Sequence, residues 1–114
     1  MPLPSHIQEE VEAIFDKYCS QPIPEHARGK IGYGYLIRGM TVTLFEQYPH
    51  YKTKSKWVRI GIARFRFNKT QGQWTLYYRD RNHKWHIFPP VMPSKNLQAL
   101  LDVVEKDPTG IFWG

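Results

Sequence analysis

The sequence predicts an α+β fold with the element order α-β-β-β-β-β-α, in which two helices pack on one face of a twisted antiparallel sheet. Apolar residues recur at helical spacing near both ends of the chain. Between them, apolar and polar residues alternate over five segments that are separated by turn residues. The chain has 114 residues, 41% of them hydrophobic, which suffices for one core. We therefore expect residues 1–114 to form a single domain.

The first helix is predicted to begin at Ser5 and to end near Cys19, because the following Pro22 cannot continue a helix. Ser5 is expected to cap it, with Gln8 completing a capping box. Its apolar stripe consists of Ile7, Val11, Ile14, Phe15 and Tyr18.

The last helix is predicted to begin at Ser94 and to end by Asp107, since Pro108 disfavours helix at the residue before it. Its stripe consists of Leu97, Leu100, Leu101 and Val104. The predicted core combines both helices with the strands: Ile7, Val11, Ile14, Tyr18, Val42, Leu44, Ile60, Ile62, Phe65, Trp74, Leu76, Tyr78, Trp85, Ile87, Leu97, Leu100 and Val104.

The first two strands are predicted over residues 30–38 and 40–48, with a turn at Gly39. In the first of them, Gly32 and Gly34 fall on the face opposite to the apolar residues. Two glycines on one face of a strand indicate a bend or a close neighbour.

The third strand, residues 57–68, changes phase along its length. Its apolar residues occupy even positions up to Ile62 and odd positions from Phe65. A strand cannot move its apolar set to the other face without an extra residue, so we predict a β-bulge near Ala63–Arg64.

The fourth strand alternates, with Trp74, Leu76 and Tyr78 directed to the core. A hairpin at residues 81–83 then leads to the fifth strand. There Trp85 and Ile87 are predicted to return to the core, and Lys84 and His86 to point outward.

Charge is distributed unevenly along the chain, whose net charge is +6. The segment from Arg28 to Lys84 contains 13 Lys or Arg and two acids, a net charge of +11, between acidic flanks. Such a segment is typical of a surface that faces a polyanion. It is equally typical of a solvated sheet whose charges maintain solubility.

The predicted bulge places cationic and aromatic side chains on one outward face of the sheet. Arginine and lysine neutralise phosphates, and an aromatic ring between them stacks on a base. A lysine-rich loop precedes the third strand and could close on the same ligand. The candidate nucleic-acid-binding residues are Lys52, Lys54, Lys56, Arg64, Arg66, Tyr77, Arg79, Arg81, Lys84 and His86. A polar sheet face without a ligand is the alternative interpretation.

The sequence offers little for catalysis, so we predict no enzyme activity, no cofactor and no metal site. Glu46 and Asp80 are the only acids of the sheet region, and neither is followed two positions later by the lysine of a common nuclease motif. His83 and His86 have no third ligand near them in sequence. Cys19 with His26 is better explained by packing than by nucleophilic chemistry.

Two segments resemble a small bacterial family catalogued as a domain of unknown function. One is the strand end Tyr-Arg-Asp-Arg-Asn at residues 78–82, and the other is the C-terminal Asp-Pro-Thr-Gly-Ile-Phe-Trp-Gly at residues 107–114. In that family a glycine often follows the asparagine, where this chain has His83, which argues against a two-residue hairpin turn. The resemblance implies a bacterial, cytoplasmic, single-domain protein and implies no activity.

The leading hypothesis is a non-enzymatic module that binds DNA or RNA through the basic sheet face and the lysine-rich loop. The alternative is a protein-interaction module that uses a sheet edge or the apolar tail, in which Phe112 and Trp113 would contact the partner. The same tail could instead complete the core. No signal peptide and no apolar stretch of membrane-spanning length is found, so a cytoplasmic location without membrane contact is expected.

Overall fold

The computed structural model describes residues 2–20, 32–49, 52 and 56–112. The sheet follows chain order, β1-β2-β3-β4-β5, and every neighbouring pair is antiparallel. The predicted α+β class, with a five-stranded antiparallel sheet and two helices, is confirmed. In chain order the elements are α1 (Ser5–Cys19), β1 (Gly32–Arg38), β2 (Thr41–Pro49), β3 (Trp57–Asn68), β4 (Gln73–Arg79), β5 (Trp85–Ile87) and α2 (Leu97–Lys106).

The β-bulge in β3 is present, one residue earlier than predicted. Leu44 of β2 lies opposite Ala63, and the next residue, Phe45, lies opposite Gly61. Ile62 is therefore the extra residue on β3. Ile62 and Ala63 are both buried, at 7% and 0% exposure, so the bulge lets the apolar set change from even to odd positions.

The core draws side chains from both helices and from the inward positions of the sheet. Phe15 of α1 packs against Phe65 of β3 and Tyr35 of β1, with ring centroids 5.4 and 5.3 Å apart. The Tyr35 hydroxyl also donates to Asp16 Oδ1 at 2.6 Å. The four-residue apolar stripe predicted for α2 is fully buried. The core cluster contains Leu3, Val11, Phe15, Val42, Leu44, Ile62, Ala63, Phe65, Phe67, Trp74, Leu76, Phe88, Leu97, Leu100, Leu101, Val104 and Phe112.

The predicted cap of α1 and the predicted start of α2 are both wrong. Ser5 is the first residue of α1 rather than its cap, and Pro4 occupies the cap position without a side-chain hydrogen bond. The helix α2 begins at Leu97, because the backbone of Ser94 instead pairs with Trp74 through hydrogen bonds of 2.7 and 2.9 Å. Asn96 caps α2 by accepting from the Ala99 N–H at 3.1 Å.

The orientation predicted for β5 is wrong. Trp85 lies opposite Arg79 and Ile87 opposite Tyr77, whereas His86 lies opposite Tyr78. Directly opposed residues share a face of an antiparallel sheet. Trp85 and Ile87 therefore point outward, Ile87 with 55% of its surface exposed, and His86 lies on the core side.

Loop length explains this reversal. The Asp80 N–H donates to the Lys84 carbonyl at 2.8 Å, so Asp80 and Lys84 close a loop of three residues, Arg81, Asn82 and His83. A hairpin loop with an odd number of residues pairs even-numbered residues of β4 with even-numbered residues of β5. His86 therefore lies on the same face of the sheet as the inward residues of β4.

Candidate nucleic-acid interface

The outer face is the side of the sheet that points away from the core cluster. The strand register places five arginines on it, contributed by β1, β3 and β4. No Asp or Glu points to this face among the strand residues that the structure describes. Its positive charge is therefore not compensated by carboxylates of the same surface. The arginines are Arg38, Arg59, Arg64, Arg66 and Arg79.

Trp85 is the central aromatic residue of the outer face. Its indole reaches across β4 until its edge meets Gly61 of β3, where a Cβ atom would lie 2.8 Å from the ring atom Cζ2. The Arg64 guanidinium carbon lies 4.5 Å from the centroid of the same indole. Arg64 Nε also donates to Thr43 Oγ1 at 3.0 Å. Arg64 and Trp85 thus form a cation–π pair.

Phe45 forms a second ring contact of the same kind. A Cβ at Gly34 would come within 2.7 Å of the Phe45 ring, so the glycine on the adjacent strand makes room for the ring. Arg59 lies over this ring at 4.7 Å from its centroid. The close neighbour predicted for the glycine face of β1 is therefore the Phe45 ring.

Two shallow grooves lie on the outer face, and both are bordered by Arg64 and Trp85. The first, about 360 Å³, has Arg66 and Tyr77 in its wall. The second, about 330 Å³, is lined by Phe45 and Arg59 among others. We refer to them as the Tyr77 groove and the Phe45 groove. The Arg64–Trp85 pair forms the ridge between them.

The β4–β5 hairpin is held by the Asp80 carboxylate. Asp80 Oδ1 accepts the N–H groups of Asn82 and Lys84 at 2.8 and 2.9 Å, and Oδ2 lies 2.6 Å from His86 Nε2. These hydrogen bonds, the one from Lys84 first, hold the pKa of the Asp80 carboxyl below its usual value. His83 completes the turn with a φ of 66°.

The hairpin also positions Arg79. Arg79 Nη1 lies 3.5 Å from the Gly61 carbonyl oxygen, and Nη2 contacts His83 Nδ1. Arg79 and His83 together line the Phe45 groove. The contact with His83 therefore holds the Arg79 guanidinium beside the Arg64–Trp85 pair.

The predicted binding residues do not all meet. The structure brings Arg64, Arg66 and Tyr77 together in the Tyr77 groove and places Arg79 in the Phe45 groove. The remaining ones lie elsewhere. Arg81 and Lys84 are exposed in the hairpin loop, Lys52 and Lys56 are exposed ahead of β3, Lys54 lies outside the described residues, and His86 is on the core side.

Four residues of the proposed site on the outer face were not predicted from the sequence, and one of them is Arg38, which follows the inward Ile37 of β1. Arg59 follows from the alternation of β3, since Val58 and Ile60 point inward on either side of it. Phe45 follows likewise from the inward Val42 and Leu44 of β2. Trp85 could have been found from the odd length of the hairpin loop.

The two residues proposed for partner binding belong to the C-terminal tail. Phe112 is 5% exposed and packs on Phe88, with ring centroids 5.0 Å apart. Trp113 lies outside the described residues. The position of Phe112 agrees with the interpretation in which the tail completes the core.

Other reactive groups are few in the part of the chain that the structure describes. No group of three or more His, Cys, Asp or Glu able to hold a metal ion occurs there. Burial, followed by the nearby Asp16, raises the pKa of the Cys19 thiol to about 11, so the thiol is protonated at neutral pH. His26 lies outside the described residues. Neither described helix has the length and apolar character needed to cross a bilayer.

The fold and the outer face define a small α+β domain with an arginine-rich, aromatic-bearing sheet surface. Residues 3–114 match the model of the family described as "Domain of unknown function (DUF3024)", and the chain belongs to that family. This agrees with the resemblance to a small family of unknown function noted from the sequence. No curated protein and no solved structure gave a significant match to the chain.

Proposed function

We propose that this domain is a non-enzymatic module that binds nucleic acid through the outer face. The observation that carries the proposal is the set of five outward arginines without an outward carboxylate among the described strand residues. Each arginine that meets a phosphate releases condensed counterions, which favours binding at low salt. The lysine-rich loop, which contains Lys52, Lys54 and Lys56, is proposed to contribute further phosphate contacts beside the sheet.

The distribution of the core supports an outer face that is open to a ligand. In the proposed arrangement both helices cover the apolar face, consistent with a core cluster that α1, α2 and the inward strand residues share. The four acidic residues of α1, Glu9, Glu10, Glu12 and Asp16, would then lie away from the arginines. A polyanion approaching the sheet would meet cations first.

The test is fluorescence anisotropy of labelled DNA and RNA oligonucleotides over a salt series. We expect the logarithm of the association constant to fall linearly with the logarithm of salt concentration, by about 0.7 per phosphate contact on single strands and about 0.9 on duplex DNA. Arg66→Ala should weaken binding and reduce this slope by about one contact. Arg66 is suited to the test because it is exposed and lies outside the core.

Lys106→Ala is the matched control. Lys106 is an exposed cation in the last turn of α2, so its removal changes the net charge by the same amount as Arg66→Ala. Its affinity and salt slope should equal those of the wild type. No binding at low salt would overturn the proposal, because electrostatic attraction is strongest there. The protein-interaction alternative, through a sheet edge or a tail released from the core, would then take its place.

A further inference from the structure

We propose that the nucleic acid bound by the outer face is single-stranded, with unpaired bases seated in the two grooves on either side of the Arg64–Trp85 pair. This inference rests on the proposed function and specifies its ligand. It follows from the shape of the outer face and from where the planar side chains lie on it.

The grooves have similar size and chemistry. At about 360 and 330 Å³ they fall at the lower end of the roughly 300–1,000 Å³ typical of small-ligand sites. Each has a planar side chain and an arginine in its wall. Tyr77 and Arg66 line one groove, and in the other the exposed Arg59 guanidinium lies over the buried Phe45 ring, which is 9% exposed, and is itself the planar group on offer. A flat, polar base linked to a phosphate needs this combination of a stacking surface and a cation.

The ridge offers planar surfaces to both grooves. The Arg64 guanidinium lies over one face of the Trp85 indole, so Arg64 leaves the opposite face of the indole uncovered. Bases stack on indole rings and on guanidinium planes alike. A strand crossing the ridge can therefore place one base on each side of it.

Base pairing prevents this arrangement. In a duplex every base is stacked between its neighbours and presents only its edges to the grooves of the helix. The planar groups of the outer face line the two hollows that the grooves form in the sheet. Only a base that has left the stack can enter such a hollow, as in sheet-faced readers of single-stranded RNA.

The two tryptophans of the outer face make a matched pair for the experiment. Trp85 borders both grooves, whereas Trp57, at the start of β3, lines neither of them and is 49% exposed. Both lie outside the core cluster, so both can be replaced while the fold is retained. Circular dichroism of each variant verifies the fold.

The experiment compares single strands and a duplex of the same length at the same salt concentration. The probes are labelled oligothymidylate and oligouridylate of about 12 nucleotides, within the roughly 4–16 nucleotides that one single-strand-binding module covers. We expect both single strands to bind at least about ten-fold more tightly than the duplex. Trp85→Ala should weaken single-strand binding by about five- to 150-fold, the range for loss of one stacked base.

The variants separate stacking from charge. Trp85→Phe keeps a ring and should restore part of the affinity, and Trp57→Ala should bind like the wild type. Arg66→Ala should lower the affinity for the single strands and for the duplex alike. A comparison of the two single strands shows whether DNA or RNA is preferred, and either preference supports the inference.

Two results would overturn the inference, and they differ in what they leave standing. Equal affinity for single strands and duplex, unchanged by Trp85→Ala but lowered by Arg66→Ala, would mean that phosphates alone are bound. The proposed function would then stand and the single-strand inference would not. Absence of binding to all three probes at low salt would overturn both.

Discussion

At the scale of the residue, Gly61 decides where the Trp85 ring can lie. A Cβ at this position would be 2.8 Å from the indole, closer than side chains tolerate. We expect Gly61→Ala to displace the ring, to lower the free energy of unfolding by about 1–3 kcal/mol, and to weaken oligonucleotide binding at unchanged net charge. Thermal unfolding and anisotropy measure the two effects.

A double-mutant cycle provides the control for this contact. In the Trp85→Ala background the indole is gone, so the methyl group of Gly61→Ala meets only Thr43 Cγ2, at an ordinary contact distance of 3.9 Å, and should cost much less. An equal loss of stability in both backgrounds would show that the glycine and the ring do not interact.

At the scale of the element, the β4–β5 hairpin shows what local sequence can and cannot predict. The turn itself was predictable, since Asp80 and Asn82 are residues that hydrogen-bond to neighbouring backbone. The facing of β5 was not predicted correctly, because Trp85 and Ile87 are apolar and were assigned to the core on that ground. The three-residue loop overrides this preference, and it places His83 at a φ of 66°, in the left-handed region that favours glycine.

The Asp80 carboxylate makes the stability of this hairpin depend on pH. Hydrogen bonds from Lys84 and Asn82, together with His86, lower its pKa below the ordinary value of 3.8. A lowered carboxyl pKa stabilises the fold above that value, and the contribution is lost as the pH falls through the lowered pKa. We expect Asp80→Asn to melt below the wild type at pH 7 and to approach it at lower pH.

Thermal unfolding of both proteins between about pH 7 and pH 2 measures this difference. The asparagine keeps an acceptor oxygen for the N–H groups of the turn, and it loses the negative charge together with the Oδ2 acceptor that faces His86. A melting-temperature difference that stays constant over the whole range would contradict a role for the Asp80 charge.

At the scale of the whole molecule, alternation and phase predicted the five strands and the bulge, but not the facing of β5. The phase change between Ile62 and Phe65 required a bulge, and the bulge is there. The two grooves could not be predicted from the sequence, because they depend on contacts between side chains of different strands. Phe45 fits over Gly34 of β1, and Trp85 fits against Gly61 of β3, and neither pair is close in sequence.

The charge pattern predicted a basic surface but not its composition. The lysines of the +11 segment that the structure describes, Lys52, Lys56, Lys69 and Lys84, lie outside the strands, whereas the outward cations of the described strand residues are all arginines. The planar guanidinium of arginine stacks on aromatic rings and forms bidentate hydrogen bonds with phosphates, whereas the lysine ammonium does neither. The outer face is thus more specialised than net charge alone indicates.

The most direct test of binding at the outer face is a nuclear magnetic resonance titration that follows the tryptophan indole N–H signals. Trp85 lies on the outer face, and Trp74, with 1% of its surface exposed, lies in the core of the same molecule. Adding a short single-stranded oligonucleotide should shift the Trp85 signal and the backbone signals of Arg64 and Tyr77, and should leave Trp74 and α2 unchanged. Shifts confined to α2, or none at an oligonucleotide excess in low salt, would contradict the account.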